Sequence, residues 1–415
     1  MIPYTIPMFS RPWALLSALG VLVLLLVASV NAGAQTQPDP WESARWRFGP
    51  LAVTPKVELK NLGWDSNVFN ETENPKSDFT ATAGAPIDWW LRFGRARLHG
   101  VDYFEGVYFA TYSSQSSFNQ RHDLTLLVPL NRLRPYAGGY YLSTNDRPGF
   151  EIDARLRRIE TQANAGAIIR VTSRIDLDIS ARQTTYKYDD QEYAGTPYST
   201  RLNRRTENYG AQARYQLTPL TTLTLLADSV RERFSEFPLR DNNGFRILPG
   251  VEFGKYALIQ GKAQVGYRTF DTIAPVMPDF SGLVANAELS YAFRGMTRFT
   301  VGVSRDIYFS FEVLEPFYIQ PGLTLSVTQQ VSGPWDVQAR SGWYRLNYQQ
   351  AKPLEGATSA GRVDHYNTFG GGVGYRVGRD IRVGFNVDYF RRESILYTQS
   401  FKGLRAGAAV TYALK

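Results

Sequence analysis

From about Leu51 to Leu414 the chain runs in stretches of roughly ten residues that alternate apolar and polar side chains, the spacing of a β-strand with two unlike faces. The stretches come in pairs joined by a two- or three-residue turn, and each pair is followed by a longer polar connection. In the last stretch Leu404, Ala406, Ala408, Val410, Tyr412 and Leu414 share one face, opposite mostly small or polar residues. A soluble antiparallel sheet also alternates. Here, however, the apolar face recurs in nearly every run, while the other carries Arg, Asp, Gln, Asn and Gly, which predicts lipid outside and water inside.

Short turns are predicted at Phe93-Gly94, Asn131-Arg132, Thr172-Ser173, Thr218-Pro219, Gly254-Lys255, Arg294-Gly295, Ser332-Gly333-Pro334 and Gly378-Arg379. Longer connections fall near 65–78, 112–118, 145–155, 189–203, 235–243, 271–280, 310–316, 350–362 and 394–399. Nine long loops and eight short turns separate eighteen strands, with sixteen as the count if a hairpin is misplaced. The expected fold is therefore all-β, a closed antiparallel transmembrane β-barrel with short periplasmic turns and longer outer loops. A propeller would also place hairpins about forty residues apart, but its recurring blade signature is absent.

With the apolar face outward, Ile175, Leu177, Ile179 and Ala181 meet lipid, and Asp176, Asp178 and Arg182 point inward. The same rule sends Gln212 and Arg214 inward, then Asp336, Gln338 and Arg340, then Arg382, Asn386 and Asp388. Thr300, Gly302 and Ser304 look inward opposite Phe299, Val301 and Val303. An Arg facing lipid at mid-depth costs about 2–4 kcal/mol, so these charges fix the register. They either contact what passes through a hydrated lumen or pair across strands to fill it. Eighteen strands enclose too wide a lumen for side chains alone to fill, and no plug domain is visible, so any plug must come from inward-folded loops or another protein.

The N-terminus changes the picture by giving an address. Arg11 precedes an apolar stretch from Ala14 to Val27, and Ala32-Gly33-Ala34 reads as a small-x-small cleavage site. Residues 1–34 are the expected signal peptide, cleaved before Gln35, with an uncleaved helical anchor as the alternative; 35–50 form a periplasmic lead-in and 51–415 the barrel. Removing 1–34 takes away only Arg11 among the charged groups, leaving 45 basic against 38 acidic residues, a formal +7. Arg outnumbers Lys and no Lys-rich tract occurs, so the excess reads as an anion bias of lumen and loops and not as nucleic-acid binding. Aromatics at 14%, with 25 Tyr and 8 Trp, suit strand ends lying at two membrane interfaces.

The chain has no Cys, which excludes thiolate metal sites, Cys nucleophiles and acylation on Cys. Its three His, His99, His122 and His365, form no HExxH, and no glycine-framed serine or phosphate loop is present. His122, beside Asp123, is placed at a strand start with no Ser partner, and Asp189-Asp190-Gln191-Glu192 reads as a solvated acidic loop. No enzyme, cofactor or metal site is expected.

The first barrel strand reads Pro55, then alternation, then Trp64-Asp65-Ser66-Asn67-Val68-Phe69. This resembles the opening of the outer-membrane β-barrel porin family found with exopolysaccharide and capsule export systems. The likeness continues through Tyr186-Lys187-Tyr188-Asp189, Arg204 to Asn208, Tyr215 to Leu223, Pro249 to Phe253, Gly266-Tyr267-Arg268, and Thr297 to Arg305. The resemblance implies an outer-membrane exit port for a secreted polysaccharide, acting with a short periplasmic polysaccharide-export protein, and no catalytic residues. The expected surroundings are outer-membrane lipid and the barrel-assembly machinery, although the end Tyr412-Ala413-Leu414-Lys415 departs from the usual aromatic finish. A passive, anion-preferring diffusion porin is the alternative; a loop-displaying adhesin fits less well because the outer loops are short.

Overall fold

The computed structural model describes residue 41 and residues 44–193, 195–351 and 361–413. The expected signal peptide with its cleavage site, half of the lead-in, and Leu414 with Lys415 lie outside them. One antiparallel sheet of nineteen strands contains the short lead-in strand Trp46–Phe48, which pairs only with the first long strand; the other eighteen make the wall.

The wall begins with β1 (Leu51–Asp65), β2 (Asp78–Phe93), β3 (Ala96–Phe109), β4 (Ser117–Leu127), β5 (Leu133–Thr144) and β6 (Arg158–Arg170). It continues with β7 (Ile175–Tyr188), β8 (Arg204–Thr218), β9 (Thr221–Phe234), β10 (Asn242–Phe253), β11 (Ile259–Thr272) and β12 (Phe280–Phe293). The last six are β13 (Thr297–Phe309), β14 (Phe317–Ser332), β15 (Trp335–Gln349), β16 (Val363–Val377), β17 (Ile381–Glu393) and β18 (Phe401–Ala413). Each strand pairs with the next, and β18 closes on β1 with Lys56 opposite Ala413 and Asp65 opposite Arg405. Closure leaves no free edge, the condition for backbone polar groups to cross hydrocarbon. Strands of 11 to 16 residues, tilted as barrel strands are, exceed the ~25 Å apolar band. Among the described residues no helix is long and apolar enough to cross a membrane.

Cross-strand partners share a face, so the ladder carries one side chain's orientation around the barrel. Asp178 stands opposite Gln212, Gln212 opposite Leu226, and Leu226 opposite Leu248. Leu223, Leu225 and Ile247, the alternates, are exposed on the outer surface. β8 and β14 slip by one residue at their turn ends, and β1 breaks the alternation in mid-strand. Asn61 sits in the left-handed region at φ 51°, and pairing with β18 slips between Leu59 and Leu62, so the outward set changes from Val57 and Leu59 to Leu62 and Trp64.

An outward polar cluster lies at mid-strand on β2 to β4. Asp102 on β3 accepts from Trp89 Nε1 at 2.7 Å and pairs with His122 Nδ1 at 2.6 Å, between outward Leu98, Phe104 and Leu124. His122, expected at a strand start, sits in the middle of β4, where these groups satisfy one another.

β13 and β14 depart from the wall at their outer ends. β12 pairs with β13 only as far out as Ala285 opposite Arg305, whereas β13 and β14 stay paired to Phe309 opposite Phe317. The hairpin tip therefore leans into the barrel. Phe309 reaches Phe234 of β9, with ring centroids 4.9 Å apart, and Phe317 reaches Phe270 of β11 at 4.8 Å. Ile307, Phe309, Phe317 and Ile319 would meet lipid if the alternation of β13 and β14 continued in the wall. Instead they pack on inward-facing Leu226, Leu248, Phe270, Phe280 and Val284.

Candidate functional site in the barrel lumen

The lumen is built from paired charges lying across glycine rows. On β15, β16 and β17 one row reads Arg340, Gly370, Asp388. Because Gly370 has no side chain, Arg340 reaches over β16 to Asp388, Nε to Oδ1 at 2.7 Å and Nη2 to Oδ2 at 2.5 Å. A Cβ on Gly370 would lie 2.1 Å from Asp388 Oδ1 and 2.8 Å from Arg340 Nε. Near the turn end, Arg382 crosses beside Gly374 to Asp336, with Nε to Oδ2 at 3.0 Å and Nη2 to Oδ1 at 2.5 Å. Gln338 accepts from Arg340 Nη1 at 3.3 Å, and Asn386 stands opposite Gly372.

The remaining expected lumen residues share the same face. Asp176 accepts from Arg134 Nη2 at 2.7 Å, and Asp178 accepts from Tyr136 Oη at 2.9 Å, reaching past Gly166. Arg214 Nη2 donates to Gln212 at 3.4 Å and lies 3.7 Å from Glu252; Arg182 stands in a row between Asn164 and Asn208.

Sequence reasoning left open what fills the lumen, and the structure places loops there. The third outer loop, L3 (145–157), folds inward as a plug. Its Phe150 ring lies 4.5 Å from both Tyr344 and Tyr366 on the lumen wall. Arg147 donates to the carbonyls of Asp153 at 2.6 Å and Val68 at 2.7 Å. Asp153 accepts from Asn70 at 2.9 Å and from Arg392 at 3.2 Å, while Arg392 also donates to the Glu151 carbonyl at 2.9 Å and to Asp364 at 2.7 Å. Asp364 is fully buried and also accepts from Arg362 at 2.7 Å.

L3 meets the tip of the β13–β14 hairpin. The Glu151 carboxylate accepts from Ser310 Oγ at 2.6 Å and from the Phe311 amide at 3.1 Å. From the fifth outer loop, the buried Arg240 donates to the carbonyls of Ser310 at 2.5 Å, Phe311 at 3.3 Å and Glu312 at 2.6 Å. The short helix α1 (Tyr198–Leu202) adds Tyr198 and Leu202 to a small core with Ile152, Leu156 and Phe311. Burial pushes the Glu151 carboxyl up to about 7, against the opposing pull of the Ser310 hydroxyl and Arg362. Burial, with repulsion from Arg155 and Arg405, brings Arg147 down to about 10.

The motif at the end of β1 anchors this plug. Asp65 is buried, takes Arg405 Nε at 2.8 Å and caps the Asn67 amide at 3.0 Å. The Asn67 side chain bridges the Glu71 carbonyl, the Lys402 carbonyl and the Glu71 amide at 2.8 to 3.0 Å. Val68 is fully buried and lends its carbonyl to Arg147, and Phe69 sits edge-on to Tyr112 at 5.0 Å. Trp64 is half exposed on the outer surface and Pro55 lies in the strand opposite Ile87. No cluster of three or more His, Cys, Asp or Glu suited to a metal occurs among the described residues, and the Asp190 carboxylate instead takes the Ser199 hydroxyl at 2.5 Å.

A closed eighteen-strand wall around a charged lumen that its own loops occlude defines an outer-membrane, porin-like β-barrel channel. Residues 39–414 match the model of the family described as Putative beta-barrel porin 2, and the chain belongs to that family. No curated protein matches the sequence. Among solved structures it is similar to the outer-membrane protein OpdK of Pseudomonas aeruginosa with vanillate, at TM-score 0.48 and 12% identity over 87% of this chain and 98% of that one. A ferric enterobactin receptor (PfeA) mutant from Pseudomonas aeruginosa aligns at 0.47 and 11% over 92% and 81%. The FrpB iron transporter from Neisseria meningitidis aligns at 0.44 and 10% over 82% of this chain, which spans only 62% of that protein.

Proposed function

We propose that this channel is the outer-membrane exit for a secreted exopolysaccharide or capsular polysaccharide, working with a short periplasmic polysaccharide-export protein. The observation that carries this reading is the plug, which is made of the chain's own loops and held mainly by side-chain hydrogen bonds, ion pairs and small apolar contacts that a partner or an arriving polymer could displace. The inward Arg–Asp pairs, with Tyr, Asn and Gln between them, offer many weak, replaceable hydrogen bonds to sugar hydroxyls. Conduction needs binding loose enough to leave, and such a surface lets a polymer slide. Asp176, Asp178, Arg182, Gln212, Arg214, Asp336, Gln338, Arg340, Arg382, Asn386 and Asp388 are the residues proposed to line that path.

The second reading is an anion-preferring diffusion porin, favoured by the cavity of about 500 Å³ beside L3, a size that suits a small solute. Deletion of the gene separates the two. Export predicts loss of surface polysaccharide with small-solute uptake intact, and a deletion strain that secretes its polymer normally overturns it.

A further inference from the structure

The cavity beside L3 lies between the plug and the walls of β1 to β3 and β15 to β18. Most of its charges are already committed. Arg340 holds Asp388, Arg405 holds Asp65, Lys60 pairs with Glu58 at 2.6 Å, and Asp153 is taken by Arg392 and Asn70. Of the remaining carboxylates, Glu105 accepts from Tyr103 at 2.5 Å and from Asn119 at 3.2 Å, and Asp146 accepts from Thr144 at 2.6 Å.

Two cations on L3 are not committed in this way. Arg147 spends its donors on two backbone carbonyls, which satisfy its hydrogens without cancelling its charge. Arg155 lies over the Phe109 ring at 4.8 Å and, among the described residues, makes no ion pair within 4.0 Å and has a buried Nε without a partner. A partly buried guanidinium whose planar fork is unused at a cavity wall is a receptor for a planar anion. Asp146 and Asp65 lie near enough to weaken binding of a doubly charged group, so a single negative charge fits best.

We propose that this cavity is an anion-recognition site in which Arg155, backed by Arg147, holds the carboxylate of an acidic saccharide, Arg155 presenting its fork and Phe109 fixing the plane of that fork. The ligand class rests on the reading of the lumen as a saccharide route; the anion site itself rests on the arrangement of Arg155, Arg147 and Phe109. Because both arginines belong to L3, an anion seated there touches the plug itself.

The test uses the purified full-length mature barrel in detergent, with a hexasaccharide of galacturonate and a neutral glucose hexasaccharide as calorimetric probes. The wild type is expected to bind the acidic probe at least tenfold more tightly than the neutral one. Arg155→Gln is expected to erase that difference, Arg155→Lys to retain part of it, and Arg379→Gln, which removes the same charge from a periplasmic turn, to keep all of it. Heat-modifiable migration on gels confirms that each variant is folded. Equal binding of the acidic probe by wild type and Arg155→Gln overturns the site, and so does a wild type with no preference for the acidic probe. If Arg155→Gln behaves as expected while the deletion strain still secretes polymer, the export reading falls and the anion site stands. If deletion abolishes export while Arg155→Gln binds like wild type, the site falls and the export reading stands.

Discussion

β15 to β17 and the outer tip of β13–β14 carry the same alternating pattern, yet they meet different surroundings. On β15 to β17 the odd positions, Val337, Ala339, Val373, Val383 and Phe385, face outward, and the even positions cross glycines as ion pairs. On the tip, Ile307, Phe309, Phe317 and Ile319 are just as apolar but pack inside the barrel, Ile307 and Phe317 buried and Phe309 and Ile319 partly so. Alternation therefore separates two faces without saying which medium covers each. What decides is the surface opposite. β16 offers Gly370 and Gly374 to charged neighbours, whereas β9 to β12 turn Leu226, Leu248, Phe270, Phe280 and Val284 into a wet lumen, and those residues are stabilised only under an apolar cover.

The tip should respond most to Phe317→Ala, at a side chain 1% exposed. Deleting that ring is expected to cost about 3–5 kcal/mol of tip docking. The barrel should still assemble, and steady single-channel conductance in planar bilayers should rise; an unchanged trace returns the tip to the wall. Next comes Arg scanned along β13. Val303→Arg, like Val383→Arg or Leu177→Arg, faces lipid, should cost about 2–4 kcal/mol and should abolish the heat-modifiable form, while Ile307→Arg should assemble but open the plug. If Ile307→Arg blocks assembly as Val303→Arg does, the strand runs straight. Gly370→Ala should cost about 1–3 kcal/mol by pushing Arg340 from Asp388, read as a lower thermal midpoint, with Asn386→Ala near neutral.

The smallest expected effect is on pH. The Glu151 carboxyl titrates near 7 when docked, well above its ordinary 4.5, so the docked loop holds its proton more tightly than the released one. Docking is therefore strongest below about pH 4.5 and weakens as pH rises towards 7. Open-channel events should become more frequent across that window, and Glu151→Gln should flatten the trend.

The wall was largely legible because each strand's apolar face must meet lipid: the eighteen strands, eight turns and nine loops follow that constraint, with edges shifted by a few residues. The bulge at Asn61 and the mid-strand place of His122 were not legible, since neither changes which residues are apolar. The plug escaped for a different reason. Its anchors are single residues, Arg147, Glu151 and Arg240 in loops and Arg392 at the outer end of β17, whose partners are backbone carbonyls or residues up to 241 positions away. The one available signal was the run of inward apolar positions on β9 to β12, out of place in a polar lumen. The Trp64-Asp65-Ser66-Asn67-Val68-Phe69 phrase marked a family, and its physical role is to staple the end of β1 beneath L3.

L3 has one further property that follows from how it is fastened. Its anchors across the lumen are side chains, while backbone hydrogen bonds join neighbouring wall strands past it and part between β12 and β13 beyond Ala285 and Arg305. Its stuffing and its cylinder are thus separate constructions. Bore can be retuned by editing a dozen loop residues, as a gasket is exchanged without recasting the pipe.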